Sequence, residues 1–138
     1  MLKQYIVLII FALTSTFSVT TYADEEEQNS GPTFAYYTLA PDLTTNVYTK
    51  GKKLAYLQVR VDLMVADSSY VVELERHEPL IRDTIVAYIG EQTEDQVKTL
   101  AGREELRKQL KENLNNLLIA ETGKTLITDL LFTKFLFQ

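Results

Sequence analysis

The fifteen residues that close the chain, Lys124 to Gln138, constrain its fold more than any other stretch. From Leu130 onward Leu and Phe occupy both alternating positions, the pattern of a strand with little face to spare for water. Chain ends fray unless a sheet holds them. A terminus this apolar therefore demands partner strands and covering helices from the residues upstream.

Those partners are legible in order. Thr33 to Leu39 is dense in aromatic and β-favouring residues and is stopped by Pro41-Asp42, so it reads as a strand, with Leu43 to Thr49 a candidate to resume it. Lys50-Gly51-Lys52-Lys53 makes a turn whose charges suit a solvated loop tip; a patch for acidic lipid is the sharper alternative. Leu54 to Val65 alternates cleanly, with Leu57, Val59, Val61, Leu63 and Val65 on one face and Gln58, Arg60 and Asp62 on the other. It predicts a long antiparallel strand with one wet face, hairpin partner of the strand before it.

The period then changes to about 3.6. Asp67-Ser68-Ser69 offers caps, and Tyr70, Leu74, His77, Ile81, Ile85 and Tyr88 form one stripe of a helix reaching Ile89. Pro79 interrupts it, predicting a kink or two abutting helices near Glu78, with Gly90 near the stop. Thr93-Glu94-Asp95-Gln96 is a capping box opening a short helical turn. Thr99 caps a long helix with Leu106, Leu110, Leu114, Leu117 and Leu118 inward and Glu104 placed to pair with Lys108. Gly123 supplies the left-handed stop before the tail strand. The fold class is α+β: a small antiparallel or mixed sheet of about three strands covered by two to three helices.

With 138 residues, 46% of them hydrophobic, the chain has enough apolar side chain for one core of ordinary size. Its net charge of −5, which becomes −6 if Lys3 leaves with residues 1–23, disfavours general nucleic-acid binding. The absence of cysteine excludes disulfides and thiolate metal sites. Residues 1–23 carry Lys3, an apolar run from Tyr5 to Leu13 and a Thr21-Tyr22-Ala23 end. They fit a cleaved signal peptide or a retained membrane anchor. Either reading leaves the remainder exported. Residues 24–32, opening Asp24-Glu25-Glu26-Glu27, read as a solvated acidic linker; the spaced oxygen ligands and turn glycine of a calcium loop are missing.

Catalytic and cofactor constellations are weak. His77 is the single histidine, and a nucleophilic pairing with Ser68 or Ser69 lacks a nucleophile elbow. A metal on His77 would need partners such as Glu73, and a packed core histidine is the commoner meaning of that position. Asp129 stands isolated before an apolar run, suited to capping a turn or pairing with a helix arginine. No cofactor motif is present, since the five glycines are scattered. Function must then come from surfaces.

Several segments together resemble one family. They are Tyr36-Tyr37-Thr38-Leu39-Ala40-Pro41, the alternating Leu54 to Val65, Pro79-Leu80-Ile81-Arg82-Asp83, the run from Thr93 through Gly102-Arg103-Glu104-Glu105-Leu106, and Ile127 to Gln138. In this order they look like FliL, the flagellar basal-body-associated proteins of the bacterial inner membrane. The resemblance implies a single-pass protein whose domain, residues 33–138 here, is periplasmic and similar to the stomatin-like (SPFH-like) fold. It also implies a homo-oligomeric ring around the stator units, support of motility on surfaces, and no catalytic activity. A ring needs complementary faces on neighbouring copies. Arg76, Arg82 and Asp83 beside Ile81, and Arg60 and Asp62 on the wet sheet face, are the candidates. The plainer alternative pairs Arg76 with Glu73 and Arg82 with Glu78 along their own helix. An exported adaptor that takes a peptide by strand addition to the tail or the Thr33 strand is the runner-up function.

Overall fold

The structure is a computed structural model, and it describes residues 31, 33–51 and 53–138. The signal or anchor reading of residues 1–23, most of the acidic linker and Lys52 of the loop tip lie outside the described residues. Four strands and four helices follow: β1 (Ala35–Thr38), β2 (Leu43–Val47), β3 (Ala55–Val65), α1 (Tyr70–Arg76), α2 (Glu78–Gly90), α3 (Glu94–Lys98), α4 (Leu100–Thr122) and β4 (Ile127–Phe137). All strand pairs are antiparallel. The architecture is α+β, as the pattern of periods predicts.

The pivot is β3. One of its edges pairs with β4 from Leu57↔Phe137 to Val65↔Ile127. That leaves the other edge for β2, from Val47↔Ala55 to Leu43↔Val59, and β1, from Thr38↔Asp62 to Ala35↔Val65. β1 and β2 are thus one lane interrupted at the Ala40–Pro41 corner, where the peptide is cis, and the sheet has three lanes. Strict alternation along β3 buries Ala55, Leu57, Val59, Val61, Leu63 and Val65 beneath the helices and turns Tyr56, Gln58, Arg60, Asp62 and Met64 to an open face.

The tail is docked, but as an edge strand with a single partner strand. Its apolar residues are also not spread over two buried faces. Arg60 pairs with Lys134 and Val61 with Phe132, leaving Thr133 without an opposite residue, and the same happens to Thr128 between Met64↔Asp129 and Val65↔Ile127. Each bulge inserts one residue and resets the alternation. Ile127, Leu130, Phe132, Phe135 and Phe137 consequently all lie opposite the buried residues of β3, while Leu131 and Leu136 lie on the open face. A period of two read straight through Thr133 places Phe132 and Phe135 on opposite faces. The bulge puts them together, and their rings meet edge to face at 5.2 Å.

Helices cover one face. α2 packs over β2 and α4 over β4, burying Leu74, Ile81, Ile85, Ile89, Leu106, Leu110, Leu114 and Leu118, with Leu117 at the margin. The break falls at His77, between two abutting helices. Pro79 sits in the first turn of α2, where its missing N–H has no intrahelical partner to lose. At α3 the Thr93 N–H donates to Gln96 Oε1 at 2.8 Å, and at α4 the Thr99 hydroxyl accepts from the Gly102 N–H at 3.0 Å. Gly123 ends α4 at φ 74°. Ser69 precedes α1 without a side-chain cap bond, and Asp67 instead accepts the Ser69 N–H at 2.8 Å. Glu104 pairs with Arg107, not with the expected Lys108; the planar guanidinium spans Glu104 and Asp129 together, which an ammonium does less readily.

Candidate docking surfaces

The interrupted lane makes a corner at Ala40-Pro41-Asp42, and four elements converge on it. Asp42 accepts from Arg60 Nε of β3 at 2.8 Å, from Lys134 Nζ of β4 at 2.9 Å and from Gln58 Nε2 at 3.2 Å. Lys134 first, then Arg60, hold its carboxyl below the usual carboxylate range. From the helical side Arg82 donates to the Pro41 carbonyl at 2.7 Å and reaches Glu78 at 3.5 Å. Glu78 in turn accepts from the Tyr37 hydroxyl. Tyr37 lies opposite Leu63 on the helix-covered face; burial, then the bond to Glu78, pushes its phenol up to about 12. A polar chain therefore runs from β1 through α2 and the corner to β3 and β4.

This corner links two of the six sequence candidates, Arg60 and Arg82. Asp62 lies next to Arg60 on the open face, half-buried, with Oδ1 buried and unpartnered among the described residues. Asp83 is exposed on α2. Arg76 is apart from the corner, exposed on α1 and bonded to Glu73 at 3.1 Å. Ile81 is fully buried. It belongs to the core and offers no surface, because the α2 stripe it shares with Ile85 and Ile89 faces the sheet. The along-helix pairs Arg76–Glu73 and Arg82–Glu78 both form, so for Arg76 the plainer reading describes the geometry, whereas Arg82 does more.

A second polar set fastens β4 to α4. Asp129 pairs with Arg107, as its isolation before an apolar run suggests, and Arg107 also donates to the Leu130 carbonyl at 3.1 Å. Asn115 gives Nδ2 to the Ile127 carbonyl at 2.8 Å and accepts the Ile127 N–H at 3.0 Å, acting as a one-residue strand partner. Its sequence signal is slight: a short polar side chain within the Leu stripe of α4.

His77 Nδ1 lies 2.8 Å from the Glu73 carbonyl oxygen. Among the described residues no group of three histidine or acidic side chains converges as a metal site. A concavity of about 520 Å³ is lined by Thr44, Asn46, Tyr48, Leu54 and Gly90 among others, and its described lining presents no carboxylate, imidazole or amine. No helix of the described residues is long and apolar enough to cross a membrane.

Comparison with known proteins matches the sequence of this chain to one family. The family model described as "Flagellar basal body-associated protein FliL" matches residues 36–138. The flagellar protein FliL of Aquifex aeolicus (strain VF5) is 29% identical over 102 residues, covering 74% of this chain. The match spans 60% of that relative's own length. On the family match from β1 to the last residue, the chain belongs to the FliL family of flagellar basal body-associated proteins.

Proposed function

We propose that residues 33–138 form a stomatin-like periplasmic domain that assembles as a ring of copies around flagellar stator units and supports rotation and surface motility without turning over a substrate. Family membership from Tyr36 to Gln138 carries this reading. We take the corner as the surface: Arg60 and Arg82 both bond to it, and Asp83, exposed, follows Arg82 on α2. Residues 1–23 tether the ring in the inner membrane if retained, and N-terminal sequencing of the mature protein from fractionated envelopes decides that point.

A deletion strain tests the reading. Loss of the gene should impair swimming or swarming, and the tagged protein should retain stator subunits and cross-link to itself. Arg82→Glu should weaken both associations while the domain stays folded. Normal motility together with no stator association sinks the flagellar reading and favours an exported adaptor, for which the edge of β4 that no described strand pairs is the supporting observation.

A further inference from the structure

Beyond that reading, the outer edge of β4 carries backbone groups that no described strand pairs. Tyr56 and Gln138 exchange two backbone bonds, at 2.8 and 2.9 Å. By antiparallel alternation Leu136 and Lys134 also bond inward to β3. The N–H and C=O groups of Phe135 and Phe137 therefore face outward, and no described strand lies beyond them. Free strand edges accept further strands. The bulges at Thr128 and Thr133 limit the regular window to the last four residues of β4. The opposite lane is a poorer template, since β1 has four residues and Tyr48, just past β2, already bonds Gln92 and Glu94.

A groove of about 310 Å³ lies along this edge, lined by Leu100, Arg103, Arg107, Leu131, Phe132 and Phe135 among others. Leu131 and Phe132 point to opposite faces of the sheet yet line the same groove, which places it along the strand's rim. Leu100 is 85% exposed beside it, a large apolar side chain open to water on a helix's first turn. Arg107 is neutralised by Glu104 and Asp129. Arg103 differs: its guanidinium lies 4.7 Å from the Phe135 ring centroid and donates to the Val97 and Lys98 carbonyls. Among the described residues it forms no ion pair.

The geometry points to an extended segment of a partner protein, alternating apolar side chains with carboxylates, as the occupant of this edge. Its backbone pairs with Phe135 and Phe137, a carboxylate on the helix-covered side meets Arg103 over the Phe135 ring, and the apolar side chains that alternate with it lie along Leu131 and Leu136 on the open face. A second copy of β4 fits less well, because its residues Thr133 to Phe137 carry no acidic side chain to offer Arg103.

The test uses the full chain in a mild detergent and a capped heptapeptide, Thr-Val-Glu-Val-Glu-Val-Thr, followed by amide-resolved NMR. Expected are slowed exchange of the Phe135 and Phe137 amides, and binding at least about tenfold weaker for the same peptide with lysine in place of both glutamates. Arg103→Glu should reverse that preference, and Leu136→Ala, a change at an exposed position of the open face, should weaken binding of the acidic peptide. The inference is overturned if millimolar acidic peptide leaves both amides unchanged or if the two peptides bind alike. It is equally overturned if the two amides are protected without peptide and lose protection on dilution, which identifies a second copy as the occupant.

Discussion

Gly102 and Gly90 should respond to the same substitution with opposite signs. Both are helical, and replacing a helical glycine by alanine ordinarily gains up to about 1 kcal/mol. At Gly90 an added Cβ meets Thr45 Oγ1 at 3.5 Å and the Asn46 carbonyl oxygen at 3.8 Å, ordinary contacts. Gly90→Ala should be neutral or stabilising by roughly 0.5–1 kcal/mol. At Gly102, by contrast, the Cβ falls 2.0 Å from the Gln96 carbonyl oxygen and 2.8 Å from Thr99 Oγ1. The clash is with backbone, so relief requires α3 to swing away from α4, weakening the Thr99 cap and the burial of Val97. Overpacking costs about 1–3 kcal/mol and a lost cap about 0.5–2 kcal/mol, so after the helical gain Gly102→Ala should lose roughly 1–3 kcal/mol net. Urea unfolding reads this directly, and a Tm fall of roughly 5 °C or more should accompany it. A Gly102→Ala protein as stable as the wild type would refute the close approach of α3 to α4.

Leu110, fully buried in the α4 stripe, should lose about 2–5 kcal/mol when changed to alanine; an unchanged unfolding midpoint would move that stripe away from the core. Asn115→Ala leaves the Ile127 N–H and C=O without their side-chain partner and should lose about 1–3 kcal/mol, whereas the exposed neighbour Asn116→Ala should be nearly silent. The Tyr37 phenol, pushed up to about 12, keeps its proton in the folded state after the unfolded chain has lost its own. Its stabilisation is therefore complete below about pH 10 and declines from about pH 10 to 12; Tyr37→Phe should flatten that part of the stability curve, and an identical alkaline slope in the two proteins would contradict the assignment.

What the sequence discloses here is what local periodicity controls. The alternation of Leu54–Val65, the Leu stripe of α4, the box at Thr93 and the stop at Gly123 each depend on neighbours within one turn or one pleat, and each is in place. What it hides is set by contacts between distant elements. The bulges at Thr128 and Thr133 follow from fitting β4 against β3, and nothing in a run of Leu and Phe marks which residue is extra. Tyr37 and Glu78 are forty-one residues apart, and Arg107 rather than Lys108 takes Glu104 because Asp129 is within reach only once the tail has returned. Ile81 was legible as a stripe residue, and its burial follows from that same stripe. Charged neighbours in sequence say little about whether an apolar residue beside them faces outward.

The corner and the tail edge are joined through Lys134, which reaches Asp42 across the open face from ninety-two residues away. It lies in the regular window between the Thr133 bulge and the end of the chain, while Arg107 and Asn115 fasten only the other half of β4. Asp42→Ala should therefore loosen one half of a single strand. Arg60 and Lys134 can turn to water once Asp42 is gone, so the unfolding midpoint should move little. Amide exchange from Lys134 to Phe137 should nonetheless quicken roughly two- to fivefold, with Ile127 to Leu130 unaffected. Because Asp42 is held below the usual carboxylate range by Lys134 and then Arg60, its contribution is present above the unfolded carboxyl pKa and is lost as pH falls through the folded value. Acidification should thus erase the difference in exchange between wild type and variant from Lys134 to Phe137. Uniform quickening along β4, or none at its far end, would mean that pairing with β3 alone sets the order of the window and that the corner does not act on the edge.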